Sequence, residues 1–325
     1  MSILDQRHPR ELFDEHTRQE LAERIEGGIL APFRVFWSDW RSRVGLFIVL
    51  FFIFLGTGAR YIVPRPRTHQ GPLMEPAFQS LAHPLGTDVM GQDILSAMVY
   101  GTTPLLKMML AGCLFATFVA VVVGTTSAYK GGNIERVLNT FTDIAMTIPG
   151  LPLIIVVGFI IEPRSPYVVG IILTLNAWAG LARMIHSEVL SIREESYVEA
   201  SHSMGLGTSR IIRTDILPGI MPFVLIGSIG MARSVIFNSV VLYFLGILPF
   251  TEMNWGVIMN YAYESASGAP IVPRTFHWIM APMLAIILFT LGLIFMSQGL
   301  DRIFNPRLRA KHEKTSSDEL SLPSE

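Results

Sequence analysis

An all-α integral membrane protein with six transmembrane helices is the fold class predicted by this sequence of 325 residues. Three observations carry that expectation. Half of the residues are hydrophobic and only 16% are charged, too apolar a balance for a chain with a water-facing skin. Six runs are long and apolar enough to cross a bilayer, whose core of about 30 Å takes roughly 20 residues in helical form. Lysine and arginine gather on alternate loops, as they do where one side of a membrane retains them.

The N-terminal segment 1–43 is polar and charged. It predicts a helix over 11–25, then an interfacial stretch in which Phe33, Phe36, Trp37 and Trp40 accompany Arg34, Arg41 and Arg43, the composition of a juxtamembrane anchor. No basic region leads promptly into an apolar core and a small-residue cleavage site, so the first apolar run is expected to remain as an anchor. The spans are expected at 44–63, 105–129, 137–161, 167–184, 222–245 and 276–298. Pro149 and Pro152 should kink the third and leave carbonyls in need of partners. The organisation that follows is a first span with an extracytoplasmic segment (44–104), a core of five further spans (105–300) and a tail (301–325). Residues 315–325 have the composition of disorder.

Positive charge concentrates at both termini, at Lys130 and Arg136, and on the loop bearing Arg193, Arg210 and Arg213. The opposite side holds Arg60, Arg65, Arg67, Arg164 and Arg274. Both termini are therefore predicted to be cytoplasmic, in a cell membrane, with lipid as the surrounding partner. A net charge of -1 without a dense cationic stripe argues against nucleic acid. Cys113 is the single cysteine and reads as packing. No G-x-x-x-x-G-K-[ST] phosphate loop occurs, and the eight histidines show no H-x-x-x-H pairing, so neither a nucleotide nor a metal site is expected on this chain. Thr87, Asp88 and Asp93 read as caps of the helix entering the membrane, with Gly86 and Gly91 as turn residues.

The segment 186–222 is the longest cytoplasmic loop of this topology. Residues 194–204 predict a short helix, Gly205 suits its left-handed closing position, and Thr208 or Ser209 can cap a second helix that Pro218 ends. Within it stand Glu199, Ala200, Ser201, then Gly205, then Leu217 and Pro218. These resemble the E-A-A, G, L-P loop of ABC-importer permeases, with Ser201 in place of the second alanine. His83 to Asp93 (H-P-L-G-T-D-V-M-G-Q-D) is similar to the segment before the second span in C-type permease subunits of dipeptide and oligopeptide importers, with Gln92 where arginine is usual. Phe244, Leu245 and Gly246 followed by Trp255 and Gly256 resemble that family's F-L-G and W-G pattern, and Gly299, Leu300, Pro306, Arg307 and Leu308 its C-terminal ending.

The resemblance implies a type I ABC importer permease fold with a cytoplasmic coupling helix, in which Glu199, Ala200, Ser201, Gly205, Leu217 and Pro218 couple to an ATPase. It implies a second homologous permease, two ATPase subunits holding ATP and magnesium, and an extracytoplasmic solute-binding protein. Peptides are the implied cargo, with oligosaccharides or nickel as the alternatives. Arg233, with Asn176 and Asn238 as neutral neighbours, is the candidate for the translocation pathway, since a charge near mid-membrane faces a bundle interior or water; its structural alternative is a pair with Asp143 or with the carbonyls of the kinked helix. An ion-coupled carrier would show internal repeats and acidic relays, and a membrane enzyme a catalytic set at one depth; neither pattern is evident.

Overall fold

The computed structural model describes residues 36–265 and 276–304, and among these the chain is helical, with one isolated bridge between Thr87 and Asp93. The expected helix at 11–25, Arg34 of the interfacial stretch, and the Pro306, Arg307 and Leu308 ending lie outside the described residues. Helix α1 (Trp40–Thr57) starts on Asp39, whose carboxylate accepts from the Arg41 amide. Helix α2 (Ile94–Lys130) has 37 residues and so runs about 55 Å. Its first eleven residues extend beyond the span expected at 105–129.

Of the expected caps Thr87, Asp88 and Asp93, only Asp93 caps α2; Thr87 and Asp88 instead order the loop before it, Thr87 by accepting from the Glu75 amide at 2.9 Å. Asp93 is the N-cap of α2, accepting from the Ser96 amide at 2.7 Å, and Asp88 accepts from the Met90 and Gln92 amides at 2.8 Å each. His83 Nδ1 lies 3.3 Å from Asp93 Oδ1. The Thr87 carbonyl accepts from Trp278 Nε1 at 3.0 Å, tying this segment to the last helix.

Helices α3 (Gly132–Thr147) and α4 (Gly150–Ile161) replace the continuous third span, with axes bent by 86°. The reason is local. Ile148 precedes Pro149, which pushes it out of the helical region to φ -71, ψ 123. Pro152 then has no N–H for the Ile148 carbonyl, and Asn176 Nδ2 supplies the missing donor at 3.1 Å. The expected fourth span is divided as well, into α5 (Pro166–Ile172) and α6 (Trp178–Arg193). Helices α7 (Ser196–Ser203) and α8 (Thr208–Ile211) follow.

Pro218 does not end a helix as expected. A π turn over Ile212–Ile216 widens the backbone, the Leu217 amide bonds the Ile212 carbonyl, and the chain continues into α9 (Leu217–Phe244). The wide turn accommodates the proline ring that would otherwise strike the carbonyl one turn earlier. After α10 (Trp255–Ser265) comes α11 (Phe276–Phe304). The six continuous spans expected are thus four among the described residues, Trp40–Tyr61, Ile94–Lys130, Thr208–Phe244 and Phe276–Ile303, or five if the bent pair counts as one.

Helix α2 is the hub. On one half, Leu105 and Met108 join Phe52, Trp255, Trp278 and Phe289 in a buried cluster; on the other, Ala116 and Ala120 join Ala179, Ala182, Ile185 and Ile220. Small residues recur along it at Gly112, Ala116, Ala120, Gly124 and Ala128. A Cβ on Gly112 would lie 2.5 Å from the Gly170 carbonyl oxygen, and one on Gly124 2.6 Å from that of Ala182. Helices α5 and α6 therefore touch α2 backbone to backbone, the approach that small residues permit in membranes. Gly124→Val should lower stability by about 1–3 kcal/mol through overpacking, whereas Gly180→Ala, at an open helical position, should leave it unchanged or raise it by about 0.5–1 kcal/mol. Thermal unfolding of the detergent-solubilised variants checks both.

Candidate functional site

The loop that the resemblance singles out leaves α6 at Arg193, whose Nη1 donates to the Ala128 carbonyl at 2.8 Å. That carbonyl lies in the last turn of α2, where intrahelical donors run out, so the arginine both caps α2 and ties the loop's base to it. Helix α7 then projects. Val198 and Ser201, three residues apart, are buried against the α2–α6 cluster, and this inward face accounts for the small Ser201.

Its end is a Schellman motif: the Gly205 amide bonds the His202 carbonyl at 3.0 Å and the Leu206 amide the Ser201 carbonyl at 3.3 Å. Gly205 has φ +77, the left-handed conformation that side chains resist, with open space around it. Glu199 and Ala200 are exposed beside it. Leu217 is half-buried and Pro218 exposed, both on the continuous π-to-α9 segment instead of on α7 itself.

Two residues of this surface went unremarked in the sequence. Tyr197 is 50% exposed and Met204 71% exposed; with Ala200 between them they form an outward apolar row at i, i+3 and i+7. That spacing, in an otherwise polar loop, was the available signal. Burial, followed by the carboxylates of Glu195 and Asp215, pushes the Tyr197 hydroxyl above its ordinary value, so it stays protonated and able to donate. Between α7 and the ends of α2 and α6 opens a cleft of about 1000 Å³, lined among others by Tyr129, Lys130, Arg193, Glu199 and His202.

The second candidate region lies deeper. Asp143 of α3 pairs with Arg183 of α6, and Glu135 of α3 lies 3.1 Å from His186 of α6, with Asn139 3.3 Å from the same ring nitrogen. Asp143 is thus engaged by Arg183 and not by Arg233, which removes that structural partner for Arg233. The Arg233 side chain is exposed on α9 between Gly230, which faces open space, and the exposed Phe237, and no hydrogen bond or ion pair engages it among the described residues. Asn238 donates to Ser234 at 3.2 Å one turn on. Asn176 is committed to the Ile148 carbonyl. Leu181 of α6 packs against Gly227 of α9, while Asn176 lies in the turn before α6 and Arg233 six residues further along α9.

The remaining family-like motifs are architectural. Gly246 at φ +67 closes α9 with a second Schellman motif, the Gly246 amide on the Tyr243 carbonyl and the Ile247 amide on that of Leu242. Trp255 is fully buried and donates to the Met98 carbonyl at 3.2 Å. Among the described residues no group of three or more His, Cys, Asp or Glu is placed to hold a metal.

Long apolar helices, a bent pair and a projecting, glycine-closed loop helix define a helical membrane protein. The chain belongs to the family of binding-protein-dependent transport system inner membrane components, whose model matches residues 116–310, more than half of its length. It is 28% identical to the dipeptide transport system permease protein of Bacillus subtilis over 272 residues, 82% of each chain. It is 29% identical to the glutathione transport system permease protein of Pectobacterium atrosepticum over 301 residues, 87% of this chain and 93% of that one. Against the oligopeptide transport system permease protein of Bacillus subtilis the identity is 24% over 275 residues, 84% of this chain and 88% of the other. It is accordingly a permease component of an ABC importer and not an enzyme. Gly205→Ala should expose the loop to limited proteolysis by destabilising the cap about 1 kcal/mol, while Gly207→Ala, where φ is -68, should not.

Proposed function

We propose that this chain forms one half of the translocation pathway of an ATP-driven peptide importer. It does so beside a second homologous permease, above two ATPase subunits and below an extracytoplasmic solute-binding protein. The single observation that supports this most is α7: an exposed apolar row of Tyr197, Ala200 and Met204 on a short, rigidly closed helix is a surface made to be covered by another protein. The ATPases hold ATP and magnesium; this chain contributes the helix they push. Nucleotide drives the pathway between inward and outward access only by favouring one state, and Glu199 to Gly205 is the segment that reports the state to the membrane helices.

Six crossings with both termini cytoplasmic complete the reading. The α3–α4 pair makes the third and α5–α6 the fourth. Their breaks meet at the Asn176–Ile148 bond, and non-helical backbone at membrane depth belongs where protein covers it or a water-filled cavity runs past. Arg233 faces that pathway, because a guanidinium exposed to hydrocarbon costs about 2.5–3.5 kcal/mol on insertion scales. Asn238 lies beside it as a neutral donor. Peptides suit a cationic pathway through their carboxylates, and three relatives carry peptide names. Oligosaccharide or nickel uptake in place of peptide would overturn the cargo alone.

Gly205→Val should insert normally in the membrane but lose cargo-stimulated ATP hydrolysis in the reconstituted complex; normal stimulation overturns the coupling role. Arg233→Leu should reduce peptide uptake about tenfold or more, with Arg233→Lys retaining most of it. Equal uptake by all three proteins removes Arg233 from the pathway.

A further inference from the structure

At the membrane edge where α1 begins and α11 ends, a cleft of about 450 Å³ opens, lined by Ser38, Asp39, Trp40, Arg41, Arg43 and Arg302. Its charge is unbalanced: three guanidiniums face one carboxylate, leaving two positive charges in excess. Asp39 is fully used. It is buried, holds Arg302 Nη1 at 3.0 Å, and accepts from the Arg41 amide at 3.3 Å. Arg41 lies over the Trp40 ring, 5.8 Å from its centroid, and the Arg43 guanidinium has no ion pair or hydrogen bond among the described residues.

The wall of the cleft is firm, because Gly299 of α11 sits directly on Ser42 of α1 and Trp40 packs edge-on against Phe295 at 5.8 Å. Below it, Trp40, Val44, Phe47 and Phe51 form a continuous exposed row on α1 at helical spacing, running from the cleft into the span. A cationic cleft joined to an apolar stripe matches a molecule with a phosphate at one end and hydrocarbon at the other. An arginine fork grips phosphate oxygens in pairs, and tryptophan settles at the headgroup level.

We propose that this cleft is a binding site for an anionic phospholipid, with its phosphate between Arg41 and Arg43 and an acyl chain along Trp40, Val44, Phe47 and Phe51. A free phosphate ion shares the headgroup chemistry but gains nothing from the stripe. The lipid joins α1 to α11, and no residue lining the cleft belongs to α7, α8 or α9.

The test uses the full chain with its co-purified subunits in detergent, titrated with phosphatidylglycerol, phosphatidylcholine or inorganic phosphate. Binding is read by native mass spectrometry and thermal stability. Phosphatidylglycerol should bind and raise Tm, phosphatidylcholine and phosphate should not, and Arg41→Gln with Arg43→Gln should weaken phosphatidylglycerol binding about 30-fold. If the double variant fails to assemble, Arg43→Gln alone should show a weakening of about fivefold. Undiminished binding by the variant that assembles, equal binding of phosphatidylcholine, or equal stabilisation by phosphate each overturns the proposal.

Discussion

Backbone contact along α2 is the constraint on which the rest of the bundle depends. Inside a membrane no hydrophobic gain drives helices together, because lipid tails are as apolar as leucine; close packing must do it. The recurrence of Gly112, Ala116, Ala120, Gly124 and Ala128 lets α5 and α6 press onto α2, with Gly112 against the Gly170 carbonyl and Gly124 against that of Ala182. Once α6 is held there, its last residue falls within reach of the Ala128 carbonyl, and Arg193 closes that bond. The point at which α7 leaves the bundle is therefore set by a seam of small residues far along the chain. The base of α7 is thus tied to the helix on which α5 and α6 both lean.

Proline produces the second theme, and the fold answers it differently at each place. At Pro149 and Pro152 the helix breaks, and a side chain from another element, Asn176, supplies the donor that the Ile148 carbonyl lacks. At Pro218 the helix stays whole and the strain is taken up in a π turn. The first response leaves a bend of 86° between two half-helices. The second gives an unbroken helical run from Thr208 to Phe244 beginning beside α7.

Charges follow the same division of labour. Glu135, Asn139 and Asp143 recur every four residues on α3 and meet His186 and Arg183 of α6, so α3 is held by a polar seam where it buries only Thr142 and Ala145. Arg233 has no such partner among the described residues, which separates it from these structural charges and is the ground on which it is proposed for the pathway.

Much of this was readable from residue order. The apolar helices, the cap at Asp93, the left-handed Gly205 and the trouble at Pro149 all depend on a few neighbouring residues, and local stereochemistry acts on them wherever they sit. What local order could not decide was whether a proline breaks a helix or bends into it. That depends on whether a distant Asn176 is at hand or a π turn can form, and so the fourth expected span was divided and the fifth lengthened. Likewise Asp143 was matched to Arg183 and not to Arg233 only when α3 was laid against α6. The sequence by itself determined which segments could be helices in a membrane, through composition and period. The tertiary structure alone decided which polar group satisfies which, because a hydrogen bond or ion pair requires atoms within about 3 Å and only packing sets that distance.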